Sequence, residues 1–226
     1  MKKLLVSVLM LVLFALPCDS AETRITYRRV ENEEMKIALT FDDGPHPYYT
    51  AKILDILEEY NVKATFFFVG QNIENYPDAA EKVYSAGHEI GNHTYTQHRV
   101  RSMERGELLR EMNMCDDAIY EIEEYRTRLF RPPEGAFDDE VENTAKSMDY
   151  SIILWSIDTR DWEHLSPDRI FENVMKNIKS GDIILMHDYI GRNSPTPEAL
   201  KMMIPALLER GYEFVTVSEL MNTNEG

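Results

Sequence analysis

Cysteine is scarce in this sequence: there are two in 226 residues, and one of them, Cys18, lies in an N-terminal apolar segment. The rest of the chain keeps only Cys115, so it can form no internal disulfide and no cysteine-based zinc cluster. We therefore expect the fold to be held by side-chain packing and by any metal that it binds.

Positive charge is also in short supply, with 24 Lys and Arg against 40 Asp and Glu, a formal net charge of −16. Such an acidic surface repels nucleic acid and anionic lipid, so neither is expected as a partner. The sequence contains no repeat, low-complexity stretch or linker, which favours a single domain. Nothing in it indicates a protein partner, and we predict none.

The chain has no apolar run as long as the ~20 residues that a membrane-spanning helix needs. The longest, Leu4 to Leu16, follows two lysines and precedes the small residues Ser20 and Ala21. This order is typical of a secretory signal peptide, so we predict an exported protein, extracellular or associated with the cell wall. Pro17 directly before Cys18 disfavours a lipid anchor. The predicted divisions are a signal peptide (1–21), a lead-in (22–34) and one domain (35–222).

Short β-rich segments alternate with longer segments of helical periodicity, which predicts an α/β fold with parallel strands and crossover helices. At this length a closed or nearly closed barrel is favoured over an open sheet, although the pattern alone leaves both open. The predicted strands are 36–41, 64–69, 88–91, 129–131, 152–155, 183–186 and 214–217. The predicted helices are 49–60, 107–125, 139–148, 167–178 and 197–210.

The polar residues that could carry chemistry follow the carboxyl ends of these strands. In a parallel barrel those ends meet at one rim, where active sites are built. We therefore expect one mouth to collect side chains from several distant parts of the chain. They are Asp42 and Asp43, His93, Arg131, Asp158 to Trp162, and His187.

Asp42 and Asp43 stand before Gly-Pro, where a pair of aspartates can simply shape a turn. In a hydrolase, one carboxylate of such a pair can bind a divalent metal while the other takes a proton from water. His93 alone is more often structural than a ligand, but a second histidine, His98, lies close by. Histidine and aspartate together are ligands that zinc and cobalt accept.

His187 ends a buried strand, where it can be a core residue or a general acid. Asp158 and Asp161 can be solvated loop acids, or one of them, by preference Asp161, can hold His187 in place. Arg131 before two prolines can be a surface cation, or it can orient Asp42 through paired hydrogen bonds.

Together these segments resemble the polysaccharide deacetylases of carbohydrate esterase family 4, the NodB homology domain. The resemblance runs from about Met35 to Leu220 and keeps the family's motif order. The matching segments are Thr40-Phe41-Asp42-Asp43-Gly44, His93-Thr94, Arg131-Pro132-Pro133-Glu134-Gly135, Asp158-Thr159-Arg160-Asp161-Trp162 and Leu185-Met186-His187-Asp188.

The resemblance implies a distorted (β/α) barrel with about seven parallel strands and a bound divalent metal, zinc with cobalt as the alternative. Carried over by position, Asp42 is the catalytic base, His187 the acid, Arg131 the group that positions Asp42, and Asp161 the support of His187. Asp43 and His93 bind the metal. A backbone N–H near Gly135 stabilises the oxyanion, and Tyr95 and Trp162 are available to stack on sugar.

Two positions depart from the family's pattern. The second metal histidine is usually four residues after the first, and that place is Gln97 here, with His98 one step later. An ungapped match puts Val100 where the family commonly has Leu, which favours Gln97 as the ligand. Because imidazole is a better ligand than a neutral amide, we expect instead a one-residue bulge that brings His98 to the metal. Glu134 stands where the family often has an aromatic residue.

The resemblance implies a metal-dependent hydrolase that removes N-acetyl groups from a polymer containing N-acetylglucosamine and N-acetylmuramic acid, peptidoglycan or a chitin-like polymer. Two alternatives remain open. One is an acetylxylan esterase of the same mechanism, and the other is a non-catalytic carbohydrate-binding protein whose metal site has decayed at Gln97.

Overall fold

Residues 25–222 are described by the computed structural model, so the predicted signal peptide (1–21) lies outside the described residues. Within this range the chain alternates strands and helices, as the sequence predicts. The strands are β1 (Thr26–Tyr27), β2 (Lys36–Asp42), β3 (Thr65–Phe68), β4 (Glu89–Asn92), β5 (Leu129–Phe130), β6 (Ser151–Ile153), β7 (Ile157–Asp158), β8 (Ile183–His187) and β9 (Glu213–Val215).

The helices lie between and after these strands. They are α1 (Tyr49–Glu59), α2 (Gly70–Asn75), α3 (Pro77–Ser85), α4 (Arg105–Glu123), α5 (Asp139–Ser147), α6 (Pro167–Asn177), α7 (Thr196–Glu209) and α8 (Val217–Asn222). Two 3₁₀ turns, Pro133–Gly135 and Asp161–Glu163, follow β5 and β7. Within residues 25–222, no helix is both long and apolar enough to cross a membrane.

The described strands form one curled sheet in the order β1-β6-β5-β4-β3-β2-β8-β7, and β9 pairs with the first half of β2. All of these pairings are parallel. The predicted fold class, a distorted (β/α) barrel, is confirmed. All seven predicted strands are present, and β1 and β7, each of two residues, are additions that the sequence pattern did not predict.

Side chains along β2 alternate between two environments, as the two-residue period of a strand requires. Ile37, Leu39 and Phe41 belong to a core that includes apolar residues of α1 and α7. The intervening Ala38 belongs to the smaller core with Phe67 and Ile183. Thr40 and Asp42 share the face of Ala38, so this inner row becomes polar towards the carboxyl end of the strand.

The register between β2 and β8 places Asp42 directly beside His187. Both residues end their strands. Both side chains point to the inner face, because each lies four residues after an inner-facing apolar residue of its own strand, Ala38 or Ile183. Two polar groups separated by 145 positions in the sequence thus become lateral neighbours at the barrel mouth.

Cys115, on α4, is fully buried, and its Sγ lies 3.4 Å from the carbonyl oxygen of Phe68 in β3. Burial raises the pKa of this thiol, which keeps it in the unreactive protonated form. Cys115 therefore acts as a small apolar residue in the contact between α4 and the sheet.

Candidate active site

Asp42 is held by Arg131, which reaches it from the segment just after β5. Arg131 is completely buried, and its Nη1 donates to Oδ1 of Asp42 at 2.7 Å and to Oγ1 of Thr40 at 2.9 Å. Its Nε and Nη2 donate to the carbonyl oxygens of Ile153 and Leu154. Because the Arg131 guanidinium makes four hydrogen bonds, its position is fixed, and it fixes the Asp42 carboxylate in turn. The Oδ2 atom of Asp42 makes no hydrogen bond to the arginine.

His187 is held by Asp161 in an equally buried arrangement. Its Nδ1 lies 2.8 Å from Oδ1 of Asp161, and its backbone N–H donates to Oδ2 at 2.8 Å. Thr196 Oγ1 also donates to Oδ2. Burial opposes a charged imidazole, but the bond and charge of Asp161 and the nearby Asp43 and Asp42 outweigh it and raise the pKa of His187 to about 9. His187 is therefore protonated near neutral pH.

His93 and Asp43 lie next to each other on the other side of Asp42. Nδ1 of His93 is 2.7 Å from the carbonyl oxygen of Arg131, which can only accept, so Nδ1 carries a proton. In the neutral ring, Nε2 then keeps its lone pair, and it lies 3.3 Å from Oδ1 of Asp43. Burial disfavours the Asp43 carboxylate, but His93 and His187 outweigh burial and lower its pKa.

Gln97, not His98, completes this group, contrary to our expectation from the sequence. The Gln97 amide donates to Oδ1 of Asp43, and Gln97 lines the same cavity as His93. Both Thr94 and Gln97 adopt a left-handed backbone conformation, with φ of 66° and 60°. Both Gln97 and His98 are exposed, but Gln97 lines the cavity and His98 is not among the residues that do so.

Among the described residues, no group of three or more His, Cys, Asp and Glu side chains is arranged to hold a metal ion. The donor set still fits a divalent cation, because Asp43 offers a carboxylate, His93 a ring nitrogen with its tautomer fixed, and Gln97 an amide oxygen once its side chain turns. The third donor is neutral and weak, so the set offers two strong ligands and one weak one.

These groups open into one cavity of about 400 Å³. Trp162, which is 49% exposed, lines it as the sequence predicts for a sugar-stacking residue, and Trp155 joins it. Glu134 also lines the cavity and forms an exposed ion pair with Arg99. The full lining is Asp42, Asp43, His93, Gln97, Glu134, Trp155, Asp158, Trp162, Leu185 and His187.

Two residues predicted as substrate contacts, Gly135 and Tyr95, already have hydrogen-bond partners within the protein. Gly135 donates its N–H to the carbonyl of Pro132 at 2.9 Å, so this amide is already used within the turn. Gly135 has φ of 62°, and a Cβ there would lie 2.5 Å from Trp155, so glycine is required by the backbone and the packing. Tyr95 bonds Glu74 through its hydroxyl and packs against the core instead of lining the cavity.

Asp188 directly follows His187 and is buried, but its sequence position alone did not indicate a role. It is 1% exposed, and its Oδ2 accepts a 2.5 Å hydrogen bond from Thr50. Within the described residues, its Oδ1 has no hydrogen-bond partner. Burial raises the pKa of Asp188 to about 8. A Cβ on Gly44 would lie 2.0 Å from this carboxylate, so only glycine fits beside it.

The family model described as polysaccharide deacetylase matches residues 29–153. A peptidoglycan-N-acetylglucosamine deacetylase of Bacillus cereus is 43% identical to this chain over 194 residues, which are 85% of this chain and 91% of the relative.

Two solved structures resemble this fold closely. A family 4 acetyl xylan esterase from Clostridium thermocellum, in complex with a cobalt ion, has a TM-score of 0.77 and 34% identity, covering 83% of this chain and 90% of its own. A carbohydrate esterase family 4 pseudoenzyme from Bacillus anthracis has a TM-score of 0.82 and 32% identity, covering 88% of this chain and 69% of its own.

Proposed function

This chain belongs to the polysaccharide deacetylase family, and we propose that it hydrolyses N-acetyl groups on the amino sugars of peptidoglycan. The observation that carries the proposal is the pair Asp42 and His187, side by side at the mouth and each fixed by its own buried partner. The 43% identity to a peptidoglycan-N-acetylglucosamine deacetylase supports this polymer as the substrate.

Asp42 is the proposed base. Arg131 holds its Oδ1 at 2.7 Å, so Oδ2 is the oxygen that takes a proton from the attacking water. The arginine also places a positive charge in direct contact with this buried carboxylate.

His187 is the proposed acid. Its Nδ1 faces Asp161, so Nε2 is the nitrogen that gives a proton to the amine nitrogen as the C–N bond breaks. Because the pKa of His187 is raised, its imidazole carries this proton near neutral pH. Addition of water across the amide then yields acetate and a free amine on the sugar.

We propose that a divalent cation, zinc or cobalt, is held by Asp43, His93 and Gln97. When bound, such a cation supplies Lewis-acid activation of the water and of the acetyl carbonyl. The chain's own contribution is the ring orientation of His93, which the Arg131 carbonyl fixes.

The direct test is acetate release by the purified protein on peptidoglycan and on N-acetylglucosamine oligomers, after metal removal and after resupply of Zn²⁺ or Co²⁺. We expect metal-dependent release. Asp42→Asn should reduce it by ~10²- to 10⁴-fold while cation binding persists. The control is Asp55→Asn, an exposed carboxylate on α1, which should keep full activity. Full activity in Asp42→Asn would refute the assignment of the base.

A second candidate function, acetylxylan esterase, is favoured by the fold similarity to the Clostridium thermocellum enzyme. The same residues would serve, with His187 protonating an alkoxide in place of an amine. Release of acetate from acetylxylan, with none from peptidoglycan or N-acetylglucosamine oligomers, would select this function.

A third candidate, a non-catalytic carbohydrate-binding protein, is favoured by Gln97 at the third ligand position and by the similarity to a pseudoenzyme of the family. It would bind saccharide without turnover on any acetylated polymer. A titration with Zn²⁺ alone separates the cases, because a decayed site would bind no cation.

We also propose that the protein is exported through the signal peptide predicted at residues 1–21. The support is the order of charged, apolar and small residues in this segment. N-terminal sequencing of the protein recovered outside the cell should begin near Glu22, whereas an intact Met1 in the cytoplasmic fraction would contradict export.

A further inference from the structure

Four tyrosines surround His46 at the protein surface, and we call these five residues the tyrosine platform. Tyr189 stacks on His46 with ring centroids 4.2 Å apart and planes inclined by 8°. Tyr49 and Tyr76 lie 5.3 and 6.2 Å from the same imidazole. Tyr48 meets Tyr49 edge-on at 5.0 Å. The rings thus form one continuous aromatic surface.

Much of this surface is open to solvent. Tyr48, Tyr76 and Tyr189 are 55%, 40% and 40% exposed. A single exposed tyrosine is ordinary, but a contiguous exposed aromatic patch on a soluble protein marks a place where something binds.

The platform is held in shape before any ligand arrives. Nδ1 of His46 accepts the backbone N–H groups of Tyr48 and Tyr49, at 3.2 and 3.3 Å. The backbone N–H of Asn193 donates to the hydroxyl of Tyr49 at 2.9 Å. A surface whose groups are already ordered loses little conformational entropy when it binds.

Its position ties the platform to the active site. His46 follows Asp43 by three residues and Tyr189 follows His187 by two, so their Cα atoms lie within about 11 and 8 Å of those residues. Tyr76 directly follows α2, whose Asn72 donates to the carbonyl of Asp43 at 2.9 Å. The platform lies outside the catalytic cavity, whose own aromatic lining is Trp155 and Trp162.

We propose that the tyrosine platform is a second saccharide subsite, which binds sugar units of the glycan that flank the unit in the catalytic cavity. This inference rests on the proposed function. A sugar ring has an apolar face and a rim of hydroxyls, and tyrosine offers an apolar face with a polar end. The short distance from the platform to Asp43 and His187 favours the same glycan chain as the occupant.

The test compares two chain lengths of one probe, the N-acetylglucosamine dimer and hexamer. In wild type, the hexamer should have the lower KM. Tyr189→Ala should raise KM for the hexamer about fivefold and leave the dimer unchanged, because loss of one aromatic contact is of that size. Tyr189→Phe should restore hexamer KM, since the ring returns. If Tyr189→Ala lowers the thermal midpoint, Tyr48→Ala serves as a second, independent variant.

Tyr125→Ala is the matched control, because Tyr125 is 62% exposed but lies between α4 and β5. It should change neither KM. Hexamer binding is also measured by calorimetry in the Asp42→Asn background, which needs no turnover. In that background, weaker hexamer binding on addition of Tyr189→Ala would support the platform even if wild type released no acetate. Absence of acetate release would refute only the proposed function. Unchanged hexamer affinity in both Tyr189→Ala and Tyr48→Ala would overturn the platform.

Discussion

The two sides of the cavity are built in different ways. On the acid–base side, Arg131 and Asp161 are fully buried, each makes several hydrogen bonds, and they hold Asp42 and His187 in place. On the cation side, the Asp43 side chain is 24% exposed, and its neighbour Gln97 is an exposed neutral amide. The protein itself therefore fixes the proposed acid and base through buried partners, whereas the proposed cation ligands include an exposed amide.

The largest effect is expected from breaking the acid–base side at Arg131. Arg131→Met leaves the Asp42 carboxylate buried without its counter-charge, which should lower the free energy of unfolding by ~3–5 kcal/mol. Urea denaturation measures the change. The control is Arg128→Met, whose exposed pair with Asp149 should be worth about 1 kcal/mol or less. Equal losses in the two variants would mean that burial of the Arg131–Asp42 pair does not matter.

A smaller effect, on activity, is expected from Asp161→Asn. The acid must be protonated to act, so wild-type activity should persist up to the His187 pKa of about 9 and fall above it. Without the charge of Asp161 this pKa drops, and the alkaline limb of the pH–rate profile should move to lower pH. We expect ~10²-fold less activity at pH 8. An unmoved alkaline limb would mean that another group sets it.

On the cation side, Gln97→His should raise the affinity of the proposed site for a divalent cation, because it adds a third strong ligand. We expect at least about tenfold tighter binding of Zn²⁺, measured by calorimetry with the metal alone. His98→Ala should leave the affinity unchanged, because His98 lies outside the cavity lining. Weaker Zn²⁺ binding in His98→Ala would instead support the bulge that the sequence suggested.

The last prediction concerns Asp188, which directly follows His187. Its folded pKa of about 8 lies above the ordinary value of 3.8, so ionisation of the unfolded chain removes stability progressively as pH rises from about 4 to 8. Asp188→Asn has no such ionisation. The variant should have a higher thermal midpoint than wild type at pH 8, with little difference at pH 4. A gap that stays constant with pH would contradict a neutral Asp188.

The alternation of strands and helices could be predicted because the strands are apolar enough to be recognised without the structure, and the family resemblance indicated that the sheet curls into a barrel. The inner and outer rows of β2 and the position of His187 at the end of β8 follow from strand periodicity alone. β1 and β7 were not predicted because two residues are too few to show a strand periodicity. α2 was not predicted because it begins at Gly70, almost immediately after β3, so no loop sequence marks its start.

The site residues were predicted from their motifs, and the structure brings Asp42, Asp43, His93, Arg131, Asp161, Trp162 and His187 together. The sequence favoured His98 over Gln97, but the structure places the Gln97 amide beside Asp43, next to two left-handed residues, Thr94 and Gln97, whose conformation the sequence does not reveal. The stack of His46 on Tyr189 joins residues 143 positions apart, so no local pattern could have indicated it.

The alternation along β2 also constrains how this strand can change in length. Insertion or deletion of one residue below Asp42 would turn its carboxylate into the layer of Leu39 and Phe41 and bring an apolar side chain to the mouth. A change of two residues would restore the face but displace Asp42 along the strand by about 6.6 Å, beyond the reach of Arg131. Substitutions in β2 can therefore be absorbed by repacking, whereas its length is fixed by the distance from the bottom of the barrel to the arginine.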